Sequence, residues 1–111
     1  MADTTEYNGW KNHATWLVSL WIGNEQELYT FWQRQAASIK RQSQKGSYKQ
    51  IKDGIWTKEE CARFKLADML KEKITNGVPE TMNGFYVDLI NSALSDVSWD
   101  DIAQHLLDEI D

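Results

Sequence analysis

The chain has 111 residues, 12 basic against 17 acidic for a net charge of −5, and 13 aromatic rings, six of them tryptophan. That length predicts one domain burying roughly two-thirds of its unfolded surface, and at about 150–250 Å² per ring an aromatic-rich core is expected to hold it. Cys61 is the lone cysteine, which excludes an internal disulfide and a cysteine-based zinc site. No charged-then-apolar leader opens the chain and no apolar run approaches ~18 residues, so neither export nor membrane spanning is expected.

Residues 1–11 read as an N-terminal turn or arm. Asn12 can cap a first helix running to about Ile22. On a helical wheel Ala14, Leu17, Val18, Trp21 and Ile22 share one side, with Trp16 and Leu20 opposite, and a helix apolar on both sides is predicted to be central. Gly23 suits a left-handed terminus, and Asn24 with Glu27 forms a capping-box start for the next helix. That second helix carries Leu28, Phe31, Trp32, Ala36 and Ile39 at helical spacing.

The pattern fails near Lys45, where Gly46-Ser47 and later Asp53-Gly54 are breakers, so 43–57 is expected to be an irregular loop pinned by Tyr48, Ile51, Ile55 and Trp56. Thr57 with Glu60 is a second capping box, opening a helix to about Thr75 whose stripe leaves Phe64 outside. Asn76-Gly77 ends it. Pro79 is placed to start another helix, although Gly84 costs about 1 kcal/mol relative to alanine and predicts an effective start after it. Phe85, Tyr86, Leu89, Ile90, Ala93, Leu94 and Val97 then form the expected inner face. Ser98 with Asp101 caps a last helix with Trp99, Ile102, Ala103, Leu106 and Ile110 inward. The predicted fold is all-α, a compact single-domain bundle of about five helices with an aromatic-rich core.

Charge is segregated along the chain. Tyr29 to Lys52 holds six basic residues (Arg34, Lys40, Arg41, Lys45, Lys49, Lys52) and no acidic one, whereas 78–111 holds eight acidic residues and no lysine or arginine. Such polarisation governs partner choice more than fold. The basic segment could follow a phosphate backbone, although the overall acidity opposes strong affinity for nucleic acid. The acidic segment suits a protein partner, and the residues expected to meet one are Asp100, Asp101, Asp108 and Glu109. Trp21, Trp32 and Trp99 fall on core stripes, which leaves Trp10 and Trp56 as the tryptophans able to face a partner.

Catalysis by a nucleophile needs a base within hydrogen-bond reach, and the two histidines, His13 and His105, sit near opposite ends in no recognisable motif. Cys61 lies in a first helical turn beside Glu59 and Glu60, which fits a small buried thiol better than an activated one. Asp101, His105 and Glu109 share a helix face at four-residue intervals and could catch a divalent ion weakly, but a solvated acidic face explains them equally well. The glycines are too dispersed for a phosphate-binding loop. No catalytic residue, cofactor or metal is therefore expected.

The run from Tyr7 to Glu25, YNGWKNHATWLVSLWIGNE, resembles the opening of a small uncharacterised family of bacteriophages and other mobile elements with a YNGW-x-N-x-x-TW-x-V-x-LW signature. Val97 to Leu107, VSWDDIAQHLL, is similar to that family's close. The resemblance implies synthesis in the cytoplasm of a bacterial host by a phage or plasmid, and carries no catalytic residues with it. The leading expectation is a non-enzymatic protein, monomer or homodimer, that inhibits or redirects a host protein such as a restriction or CRISPR effector. The alternative is a nucleic-acid-binding accessory factor using the basic segment.

Overall fold

The structure, a computed structural model, describes residues 7–79 and 81–110. Residues 1–6 of the expected arm, and Glu80 and Asp111 of the acidic set, lie outside the described residues. The elements are α1 (His13–Asn24), α2 (Gln26–Gln44), α3 (Lys49–Lys52), α4 (Lys58–Thr75), α5 (Gly84–Ser95) and α6 (Trp99–Asp108). The fold is all-α, with five helices of ten residues or more and α3 as a single turn inside the segment predicted to be irregular. Among the described residues no helix is long and apolar enough to cross a membrane.

Helix starts follow side-chain chemistry closely. Asn12 Oδ1 accepts from Thr15 N to cap α1. Thr57 and Glu60 make a reciprocal capping box at α4, Asn83 caps α5 at Gly84, and Ser98 caps α6. Each satisfies an N–H that the first helical turn would otherwise leave unpaired. The α1–α2 junction differs from the prediction. Gly23 stays helical and Asn24 does not cap α2; the N-cap is Glu25, without a side-chain hydrogen bond. One extended residue joins the helices: Glu25 N donates to Trp21 O, and Glu25 O accepts from Tyr29 N. With the junction this short, Asn24 is consumed by the last turn of α1.

α4 is the centre of the assembly, packing broadly on α6 and α2, while α1 leans on α2 and α6. α5 shares no comparable interface with any of them. The buried cluster is mainly aliphatic, including Ile22, Ile39, Leu66, Leu70, Ile102 and Leu106, and Trp32 is its one aromatic member; Trp10, Phe31 and Trp99 pack at its edge. The expected aromatic-rich core is thus not found. Leucine and alanine on α4 and α6 and Ala36 on α2 form the contact surfaces of the core, and most large rings stay on the periphery.

Two further expectations are corrected. α1 is peripheral rather than central, burying only Thr15 and Ile22, and Trp21 is 59% exposed. Because α1 rests on only two neighbours, one arc of its apolar surface is covered and the rest meets water. Much of the predicted inner face of α5 is also exposed: the helix has no buried residue, Leu94 only packs at the edge of the core, and Val97, just beyond the helix, enters it.

The chain termini are tied by a buried polar network. Thr15, 0% exposed, donates its hydroxyl to Asn12 Oδ1 (2.7 Å) and accepts from Ser98 N (2.8 Å). Asn12 Nδ2 donates to Asp96 O at 2.6 Å. These bonds fix the start of α1 against the start of α6. Thr15→Val is expected to cost about 1–3 kcal/mol, since the Ser98 N–H then loses its acceptor. Trp32→Ala should cost about 3–5 kcal/mol and Ile55→Ala, at a position 64% exposed, less than about 0.5 kcal/mol, as read by urea denaturation; equal costs at Trp32 and Ile55 would contradict this division between core and surface.

Candidate functional site

The face built around Trp10 begins with a local turn. In Tyr7-Asn8-Gly9-Trp10 the outer residues exchange backbone hydrogen bonds of 2.9 and 2.8 Å. Asn8 and Gly9 both have positive φ, 50° and 86°. This is the pattern of a type I′ turn, which Asn-Gly tolerates better than other pairs. The turn lifts Trp10 onto α6, where its ring lies 4.1 Å from that of His105, with the planes 33° apart. Lys11 N donates to Asp101 Oδ2 at 3.2 Å. Residues 7–25 and 97–107, joined by the Ser98–Thr15 hydrogen bond across 83 positions of sequence, therefore dock on one another.

An open concavity of ≈460 Å³ lies beside Trp10, walled by Lys11, Arg63, Ser98, Asp100, Asp101 and Gln104. Asp100 and Asp101 occupy the first turn of α6, where negative charge complements the N-terminal end of the helix dipole. Arg63 Nε stands 3.8 Å from Asp100 Oδ2, and the Arg63 guanidinium lies 4.9 Å from the Phe64 ring centroid. Phe64 in turn meets Trp56 edge to face at 5.0 Å. Trp56, Phe64, Arg63 and Asp100 thus make a continuous band leading to Trp10. Phe64 finds the partner its stripe denies it, and Arg63 joins the site without having been legible in the sequence.

Glu109 reaches the same region from the far end of α6, lining a smaller recess of ≈100 Å³ with Trp10, Tyr29 and His105. Asp108 does not. It accepts from Gln104 Nε2 (2.9 Å) and faces a separate recess shared with Lys40 and Lys58. Of the six residues expected to meet a partner, five are contiguous and Asp108 stands apart.

Asp101, His105 and Glu109 do not converge as ligands. His105 Nδ1 lies 2.9 Å from the Asp101 carbonyl oxygen, and Glu109 Oε1 accepts from the Tyr29 hydroxyl. Among the described residues no group of three or more His, Cys, Asp and Glu side chains is placed to hold a metal ion. Cys61 is fully buried.

The basic segment is divided. Arg34, Arg41 and Lys45 are exposed along α2 and Lys52 is exposed at the end of α3; none of the four joins an ion pair among the described residues. Lys49 pairs with Asp53 at 2.6 Å, an exposed i,i+4 contact of small energetic weight. Lys40 Nζ donates to the Ile110 carbonyl at 2.9 Å, so it ties α2 to the chain end instead of facing a polyanion.

Tyr29 couples this face to alkaline pH. Burial, and next the Glu109 carboxylate beside it, push its phenol above the ordinary 10.0, while a hydrogen bond from Gln33 acts the other way. The folded state therefore holds the phenol proton more tightly than the unfolded chain does. That stabilisation is fully present below about pH 10 and is lost as pH rises through the raised folded value. Melting temperature followed from about pH 9 to about pH 11 should fall less steeply in Tyr29→Phe than in the parent chain; identical slopes would remove Tyr29 from the alkaline response.

No curated protein and no solved structure matches the chain. A family model does match, across residues 3–111, and so takes in the Trp10 turn, α6 and every element between them. The chain belongs to the family of unknown function DUF7249.

Proposed function

We propose that the protein is a non-enzymatic binding protein of phage or mobile-element origin. In this reading it works in the cytoplasm of a bacterial host by occupying a host protein, a nucleic-acid-handling defence enzyme of the restriction or CRISPR type. The observation that carries it is the grouping of Trp10, Arg63, Asp100 and Asp101 around one open concavity. An aromatic anchor beside arginine and carboxylates is the composition of a binding hot spot with a polar rim. The carboxylates favour a basic surface, such as those by which nucleic-acid enzymes hold phosphates. A binding role is also consistent with the histidines: His105 stacks on Trp10, and His13 on Tyr7 and Trp16.

Tagged protein recovered from host lysate should retain a stoichiometric host protein. Asp100→Arg, which alters an exposed carboxylate, should weaken that capture by at least about tenfold, and Trp10→Ala by more. Recovery of no stoichiometric host protein, or equal recovery by both variants, would defeat the reading.

A second reading, a nucleic-acid-binding accessory role, rests on Arg34, Arg41 and Lys45, which follow one another at seven- and four-residue steps on the exposed side of α2. It predicts binding to duplex DNA whose logarithm falls with log salt at a slope of about −0.9 per phosphate contacted. A flat mobility-shift titration would dismiss it.

A further inference from the structure

Two apolar surfaces are left in water, and neither belongs to the face around Trp10. One is α5, where Phe85, Tyr86 and Leu89 are 66, 57 and 53% exposed. The other is a groove of ≈280 Å³ between α1, α2 and the end of α4, lined only by apolar residues, with Leu17, Trp21 and Leu28 at its lips and Trp32 and Ile74 among those beneath. One surface projects and the other is concave. Every copy of the chain carries both.

We propose that the protein forms a two-fold homodimer in which α5 of each copy lies in the Leu17–Trp21–Leu28 groove of the other. Area supports a second copy as the occupant. At about 200 Å² per large side chain, the exposed fractions of Phe85, Tyr86 and Leu89 leave roughly 350 Å² on α5, and those of Leu17, Trp21 and Leu28 roughly 280 Å² at the groove. Reciprocal exchange would then cover about 600 Å² per partner, about 1,200 Å² in all, the lower end of the range for specific interfaces. A two-fold axis makes both contacts at once and closes the assembly, so no sticky end remains.

Each surface also carries charge at its margin. Asp88, next to Leu89, is the only charged side chain within α5. Lys73 stands beside the groove residue Ile74, its ammonium 5.2 Å from the centroid of the Phe31 ring, and Glu27 adjoins the lip residue Leu28. Asp88 and Lys73 are the opposite charges that an exchanged contact can pair. The dimer leaves Trp10, Asp100 and Asp101 uncovered, so its success or failure is independent of host binding. Where both hold, each assembly presents two host-binding faces.

Light scattering on the purified full chain should give twice the monomer mass of 12.9 kDa. Leu89→Lys and Trp21→Lys, each at a position more than half exposed, should both give the monomer mass with unchanged helical circular dichroism. Leu89→Cys and Leu17→Cys locate the contact. Mixed and oxidised with diamide, they should yield a disulfide-linked dimer between unlike copies, with buried Cys61 inert, while neither should cross-link strongly alone. A parent chain that stays monomeric at ~100 μM would overturn the proposal. That result would follow if a host protein, or the copy's own α5, covered the groove. Cross-linking of Leu89→Cys to itself, a dimer indifferent to both lysine variants, or open higher assemblies would overturn it as well.

Discussion

The Thr15 hydroxyl holds the two ends of the fold in register. It is fully buried, gives its proton to Asn12 and takes one from the backbone of Ser98. A buried donor or acceptor without a partner is costly, so such a pairing tolerates little displacement of either segment. The Trp10–His105 stack and the Lys11–Asp101 bond lie within a few residues of this point and inherit its geometry. The face proposed for host binding therefore adjoins a buried hydrogen-bonded joint, although its parts come from a turn, the flank of α4 and the first turn of α6.

Away from that joint the molecule sorts apolar side chains by size. α4 and α6, which pack most broadly, meet mainly through alanine, leucine and isoleucine, and α2 adds Trp32, Ala36 and Ile39. Bulky rings are displaced to the edges, where Trp10, Phe31 and Trp99 are partly covered and Trp21, Phe85 and Tyr86 mostly are not. Grouped apolar surface of this kind is what contacts between proteins cover. The same sorting that gives a dense aliphatic core thus creates the two surfaces matched in the proposed dimer.

Much of the architecture is encoded locally and is legible in the sequence. Thr57 with Glu60, Ser98, and Asn12 mark helix starts because a side-chain oxygen meets an N–H two or three residues away, and nothing distant can intervene. Asn8-Gly9 favours a turn with positive φ because glycine has no Cβ to clash and asparagine tolerates the left-handed region better than most residues. The candidate site was legible only in part. Trp10, Asp100 and Asp101 could be named from composition and position, whereas Arg63 could not, because nothing along the chain says that α4 lies beside the N-terminal turn.

Helical periodicity showed which side of each helix is apolar, but not whether another element covers it. The stripes of α2 and α5 are written in the same three-and-four spacing. One is buried around Trp32, and the other stands open at Phe85 and Leu89. Local chemistry by itself determined where helices begin and which faces are apolar, since those depend on bonds spanning a single turn. Which of those faces became core was left to tertiary packing, because burial is a property of neighbours drawn from the whole chain.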